Sequence, residues 1–320
     1  MQRTLTRREA LGLMTAAFAG ALARGGEDLA HAQAHEAPKP PSDESQPMKR
    51  AIHSSGETLP VIGLGTYRTF DVGSAEEERG PLAAVLARFV ALGGRVVDTS
   101  PMYGAAEGVL GDLAAAAKLR DDLFLATKVW TEGREAGVEQ MEESFRLLHA
   151  ERVDLMQVHN LLDADDHLAT LREWKRAGRV RYLGVTHYVA GAYPDVARVL
   201  KRQTLDFVQI NFSPLEPEAE ATLLPLARDR GVAVIANRPF GGGEFFRRAR
   251  GKPLPDVARE IGCTSWAQLV LKWILGNTTV TCAIPATSRV EHLEDNLGAA
   301  RGPLPNAAAR KRILDAIRAI

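Results

Sequence analysis

The chain has 320 residues, 45% hydrophobic and 25% charged, an ordinary globular composition that admits one large domain or two small ones. Its 40 basic and 40 acidic residues cancel, which argues against a nucleic-acid or polyanion partner. Two cysteines, Cys263 and Cys282, form no CxxC and join no Cys/His cluster at zinc spacing, so no metal site is expected; both read as buried free thiols, with a single disulfide as the alternative.

At the start of the chain, Thr6-Arg7-Arg8-Glu9-Ala10-Leu11 leads into an uncharged run from Leu11 to Ala23. That run is too short to cross a bilayer and fits the core of a signal peptide, with Ala-x-Ala sites at Ala30-His31-Ala32 and Ala32-Gln33-Ala34. The paired arginines resemble a twin-arginine export signal, with Ala10 standing where a bulky residue is usual. Residues 1–34 are therefore expected to be a leader read by the export machinery, and the mature protein to be exported, to the periplasm. A non-functional leader would leave it cytoplasmic. Cleavage near Ala34 removes four arginines and three acids, which leaves a net charge of −1. Residues 35–47 are proline-rich and polar and read as a linker to a domain over 48–320. No other segment is apolar enough to span a membrane.

Lys49 to Pro60 holds Ser-Ser-Gly-Glu between two short runs, the pattern of a hairpin. Eight β-rich runs follow: Val61–Gly65, Arg95–Ser100, Leu123–Trp130, Val153–Asn160, Val180–His187, Asp206–Ser213, Val232–Arg238 and Val280–Thr287. Between them lie segments with helical spacing, among them Gly137–His149, Asp166–Ala177 and Glu218–Arg230, and several end in glycine as helix C-caps do. Alternation of this kind implies parallel βαβ units, and eight of them match the size of a closed (β/α)8 TIM barrel, an α/β fold whose amino-terminal mouth the hairpin would plug. Periodicity alone also admits a doubly wound open sheet.

The glycine motifs decide little. Gly63-Leu64-Gly65-Thr66 lacks the third glycine of a dinucleotide fingerprint, and Gly251-Lys252 has no upstream glycine at P-loop spacing. Gly241-Gly242-Gly243 reads equally as a mobile flap or a turn.

The chemistry is carried by Asp98, Tyr103, Lys128 and His159, which fall at or just beyond the ends of the second, third and fourth barrel strands. In a barrel these ends share one mouth, so the four side chains can converge. Singly, Lys128 reads as a solvated strand end and His159 as a core histidine. Four such groups in succession do not read so easily as coincidence.

The ordered motifs resemble the aldo-keto reductases over roughly residues 50 to 300. Ile62-Gly63-Leu64-Gly65-Thr66 is similar to that family's first strand, and Asp98-Thr99 to Tyr103-Gly104, with Glu107 and Gly111, to its loop signature. Ala126-Thr127-Lys128-Val129, Gln157-Val158-His159-Asn160, Gly184-Val185-Thr186-His187, Val208-Gln209-Ile210-Asn211 and Ile284-Pro285-Ala286-Thr287-Ser288 with Asn296 continue in order. The resemblance implies reduction of an aldehyde or ketone to an alcohol by NADPH, with NADH as the lesser possibility. Tyr103 would be the proton donor and Lys128 would lower its pKa. Asp98 would fix Lys128, and His159 would orient the carbonyl oxygen. Gly65 and Thr66 belong to the cofactor-facing first strand. Thr186 and Gln209 would hold the nicotinamide carboxamide, with His187 where the family usually has asparagine. Asn237 stands where many members stack a tyrosine; Arg238 would instead reach the pyrophosphate or close over the cofactor, and Phe240 would join it at the cofactor. Arg289, His292 and Asn296, spaced to share a helical face, would take the adenosine end. Tyr67, Trp130, Tyr188 and Phe240 would wall the substrate and suit an apolar or aromatic carbonyl compound. Two other readings remain open: a non-catalytic cofactor-binding, redox-sensing barrel subunit, and an aldolase-type barrel using Lys128 as a Schiff base.

Overall fold

The computed structural model describes residues 47–320, and the leader and all but the last residue of the linker lie outside them. A two-stranded hairpin comes first, β1 (Lys49–Ala51) against β2 (Thr58–Pro60), antiparallel with Lys49 opposite Pro60 and Ala51 opposite Thr58. Eight parallel strands follow: β3 (Leu64–Gly65), β4 (Val96–Asp98), β5 (Phe124–Val129), β6 (Val153–His159), β7 (Val180–Thr186), β8 (Phe207–Asn211), β9 (Ala233–Asn237) and β10 (Val280–Ala283). Each pairs with its neighbour in sequence, from β3 to β10. The two edge strands meet as well: Gly63 N–H donates to Ala283 O (2.8 Å), Ala283 N–H to Val61 O (2.9 Å) and Gly65 N–H to Pro285 O (3.1 Å). The sheet is therefore a closed barrel, and the open-sheet alternative falls away. All eight carboxyl ends open on one rim.

Alternation along the strands divides the interior from the helical shell. Ile52 and Leu59 of the hairpin are fully buried in one cluster with the inward-facing amino-end residues Val96, Phe124, Leu155, Tyr182, Phe207, Ala233 and Cys282. The hairpin thus plugs the lower mouth, as its position predicts, and each of its two aliphatic side chains contributes about 2 kcal/mol by burial. Nearer the rim the inward residues turn polar, with Asp98, Lys128, Gln157, His159, Thr186, Gln209, Asn211 and Asn237 all buried. Both cysteines are free and buried.

Two predicted helices appear nearly as expected, at Arg134–Leu147 and Ala164–Arg176. The segment predicted over Glu218–Arg230 instead splits into a 3-10 turn, Glu218–Ala221, and a helix, Leu223–Asp229, with Thr222 off helical geometry (φ −127°, ψ −74°). An unbroken helix would put Pro225 in its interior, its ring against the Ala221 carbonyl. The break places Pro225 in a first turn, where no amide donor is needed.

Candidate active site

Asp98 ends β4, and Tyr103 sits in the turn between β4 and helix Ala106–Ala116. Lys128 and His159 come up from β5 and β6. Lys128 is fully buried, and its Nζ donates to Asp98 Oδ2 (2.8 Å) and to Thr99 O (2.6 Å). The same ammonium lies 4.9 Å from the centre of the Tyr103 ring. The His159 ring stands edge-on to Tyr103, with centroids 6.1 Å apart. The four predicted catalytic residues therefore meet at the rim.

Burial and charge set the state of each group. Burial disfavours the Lys128 charge, but Asp98 and Tyr103 outweigh it and hold the ammonium above its ordinary pKa. Burial raises the Asp98 carboxyl, while Lys128 and the amides of Gln209 and Gln157 pull it back. The sequence reading has Lys128 lowering the Tyr103 pKa. In the structure desolvation wins, and the phenol sits above its ordinary value although Lys128 pulls it down. Burial, with the charges of Lys128 and His187 adding to it, drives His159 down to about 3, so its imidazole is neutral throughout the physiological range.

Three polar residues beyond those predicted complete the arrangement. Ser100 Oγ accepts from Met102 N–H (3.4 Å) and sits 3.2 Å from His159 Nδ1. In the tautomer that accepts the Ser100 hydroxyl at Nδ1, the ring hydrogen is on Nε2, where it can be donated. Gln157 Nε2 donates to Gln209 Oε1 (2.8 Å) and to Asp98 Oδ1 (3.4 Å). Gln209 Nε2 reaches Asp98 Oδ2 at 3.4 Å, so its amide is engaged in bracing Asp98. Asn211 is fully buried, and neither of its amide atoms has a partner. Thr99 Oγ1, Gln157 Oε1 and Asn237 Oδ1 are also buried and unpartnered. Such orphaned groups cost about 1–3 kcal/mol each. The period-two alternation held the signal for two of these residues, because Gln157 lies two before His159 and Asn211 two after Gln209.

The remaining predicted residues spread around the rim. Thr66 is buried and spends its hydroxyl on Asp98 O (3.0 Å). Gly65 is required at the seam, since a Cβ there would lie 2.9 Å from Ile284 O. Tyr67 (49% exposed) packs on Tyr103 with centroids 5.0 Å apart, and Trp130 and Tyr188 are exposed on neighbouring loops. His187 Nδ1 accepts from Tyr188 N–H (3.0 Å) and Val189 N–H (3.3 Å), its ring stacks on Tyr188, and burial lowers its pKa. Thr186 is buried at the end of β7. Arg238 takes a left-handed φ of +51°, with its guanidinium 6.0 Å from the Tyr188 ring centre and 3.9 Å from Glu216. Phe240 is buried against Phe246 (4.7 Å). Arg289 precedes helix Val290–Gly298 and pairs with Glu291 (3.5 Å). On that helix His292 is exposed and Asn296 is buried.

A family model for the Aldo/keto reductase family matches residues 61–311. The chain belongs to the aldo/keto reductase family. It is similar to the NADP-dependent D-sorbitol-6-phosphate dehydrogenase of Malus domestica, 27% identical over 292 residues, covering 78% of this chain and 88% of that protein. It is also similar to the methylglyoxal reductase YeaE of Escherichia coli, 26% identical over 258 residues, with 78% and 88% covered. An aldo-keto reductase from Klebsiella pneumoniae, solved in complex with NADPH, shares the fold with a TM-score of 0.70 at 23% identity, covering 83% of this chain and 94% of that one. Two positions are expected to depart from the family's pattern: His187, where asparagine is usual, and Asn237, where many members stack a tyrosine. The structure gives both local work: the His187 ring organises the turn after β7, and Asn237 Nδ2 donates to His187 O (3.2 Å).

Proposed function

We propose that this aldo/keto reductase reduces aldehydes or ketones to alcohols with NADPH, and that Tyr103 donates the proton. One observation carries the reading: a fully buried Lys128 ammonium lies 2.8 Å from Asp98 and 4.9 Å from the Tyr103 ring centre, beside a neutral His159. The unpaired amide of Asn211 and the unpaired Oδ1 of Asn237 at the same rim fit a cofactor that carries amide and hydroxyl groups. Thr186, Gln209 and Asn211 would hold its nicotinamide end, and Arg238, Arg289 and Asn296 its phosphates and adenosine. When bound, the cofactor supplies a hydride to the carbonyl carbon.

The protein's part is acid catalysis and orientation. His159 donates a hydrogen bond from Nε2 to the carbonyl oxygen and remains neutral as it does so. Tyr103 passes its phenolic proton to that oxygen, and Lys128 stabilises the phenolate left behind. Asp98 holds Lys128 in place. Tyr67, Trp130 and Tyr188 offer apolar walls for the rest of the substrate.

NADPH oxidation by the purified protein with a panel of aldehydes and ketones tests this. The expected result is turnover that Tyr103→Phe lowers by at least about a hundredfold while NADPH binding is retained. Binding of NADPH without turnover of any carbonyl would return the chain to a cofactor-binding subunit. Borohydride trapping on Lys128 without nicotinamide would make it an aldolase-type barrel.

We further propose that residues 1–34 direct export by the twin-arginine route, which suits an enzyme loaded with cofactor before crossing. The paired Arg7-Arg8, the short apolar run and the Ala-x-Ala sites support this. Among the described residues no helix is long and apolar enough to cross a membrane. Cell fractionation, with mass determination of the mature N-terminus, checks it. A full-length protein confined to the cytoplasm would refute it.

A further inference from the structure

Glu107 is a buried acid that makes no hydrogen bond or ion pair to any of the four catalytic side chains. It is the second residue of helix Ala106–Ala116 and is 1% exposed. Thr127 Oγ1 donates to its Oε1 (2.5 Å) and Ser144 Oγ to its Oε2 (3.1 Å). Among the described residues no cation pairs with it. The charges that act on it are Lys128, across β5, and Glu143, on helix Arg134–Leu147. Burial pushes its carboxyl up to about 7 against the pull of its two hydroxyl donors.

The placement of those donors gives the acid its meaning. Thr127 is the strand neighbour of Lys128 and faces the helical shell, while Lys128 faces the interior. Glu107 lies four residues beyond Tyr103, and the intervening turn is short and held by Ala106 N–H to Tyr103 O (3.2 Å) and Ala105 N–H to Asp71 Oδ1 (2.9 Å). A single carboxyl therefore joins the segment that carries the phenol to the strand that carries the ammonium.

We propose that Glu107 is a positioning residue whose carboxyl clamps the Tyr103 turn to β5 and so sets the approach of the Tyr103 phenol to Lys128. This rests on the proposed role of Tyr103. The mobility of the turn is measurable without that role, so the two can fail separately.

The test compares Glu107→Ala, Glu107→Gln and Thr127→Val with the wild-type full-length protein. Glu107→Gln keeps an oxygen for Thr127 and an amide for Ser144, so it should retain kcat to within about threefold. Glu107→Ala and Thr127→Val should lower kcat tenfold or more, with KM and NADPH affinity changed less than threefold. Hydrogen–deuterium exchange should speed up in residues 100–107 of both variants and stay unchanged in β8 and β9. If Glu107→Ala does not fold, Thr127→Val alone decides. Exchange at wild-type rates in residues 100–107, or an unaltered kcat per folded molecule, would overturn the proposal. So would exchange that rises evenly over the whole barrel, which marks simple structural support. If the wild type turns over no carbonyl but residues 100–107 still loosen, the clamp stands and the catalytic reading falls.

Discussion

Two buried groups near the rim link protonation to stability with opposite signs. The imidazole of His159 is held down at about 3, against 6.5 for a free histidine. Between these values the unfolded chain binds the extra proton, so stability should fall as pH drops below about 6.5. Replacing His159 with Asn should flatten that acid limb in a denaturant series across pH. Glu107 works the other way. Its carboxyl is raised from 4.5 to about 7, so the folded state holds the extra proton and stability should fall as pH rises through that window. The full penalty, on the order of 3 kcal/mol, applies above neutrality. Glu107→Gln should therefore raise the melting temperature more at pH 8 than at pH 5. A third change separates chemistry from packing. Lys128→Met leaves Asp98 buried without its cation and should cost about 3–5 kcal/mol, whereas Tyr103→Phe should leave stability nearly unchanged.

At the scale of elements, the helix Ala106–Ala116 crosses the end of helix Arg134–Leu147 so closely that a Cβ on Gly111 would lie 2.0 Å from Leu147 O and 2.8 Å from Leu148 Cα. Both contacts are to backbone, so no rotamer change can relieve them. Gly111→Ala should push the helices apart and lower the melting temperature by several degrees, corresponding to about 1–3 kcal/mol. The eight strands were legible in the sequence because each is an apolar run bounded by turn residues. The candidate catalytic residues were legible because Asp98, Lys128 and His159 end such runs and Tyr103 closely follows one. Less could be read where geometry in three dimensions decides. The net upward shift of Tyr103 depends on how completely neighbours shut out water, which no spacing records. The break at Thr222 followed from Pro225, and a rule for prolines would have placed it. Ser100 showed no sign of its contact with His159, because that contact joins the loop after β4 to the end of β6, far apart in sequence.

For the molecule as a whole, the barrel is finished differently at its two ends. The lower mouth is sealed by Ile52 and Leu59 and the upper one is polar. Leu59→Ala should cost about 2–5 kcal/mol in a denaturation experiment while leaving kcat within twofold, because the change is made at the end away from the chemistry. The seam between residues 61–65 and 283–286 has a consequence in time. Its hydrogen bonds join the first barrel strand to the last, so during synthesis the ring cannot close until the segment around Ala283 has left the ribosome. Until then the emerging chain is an arc with two bare edges, open to pairing with another chain. The plug hairpin travels at the leading edge of that arc, and Met48 N–H ends up bonded to Ala300 O (2.9 Å). The earliest part of the domain to be made is thus among the last to reach its final partners.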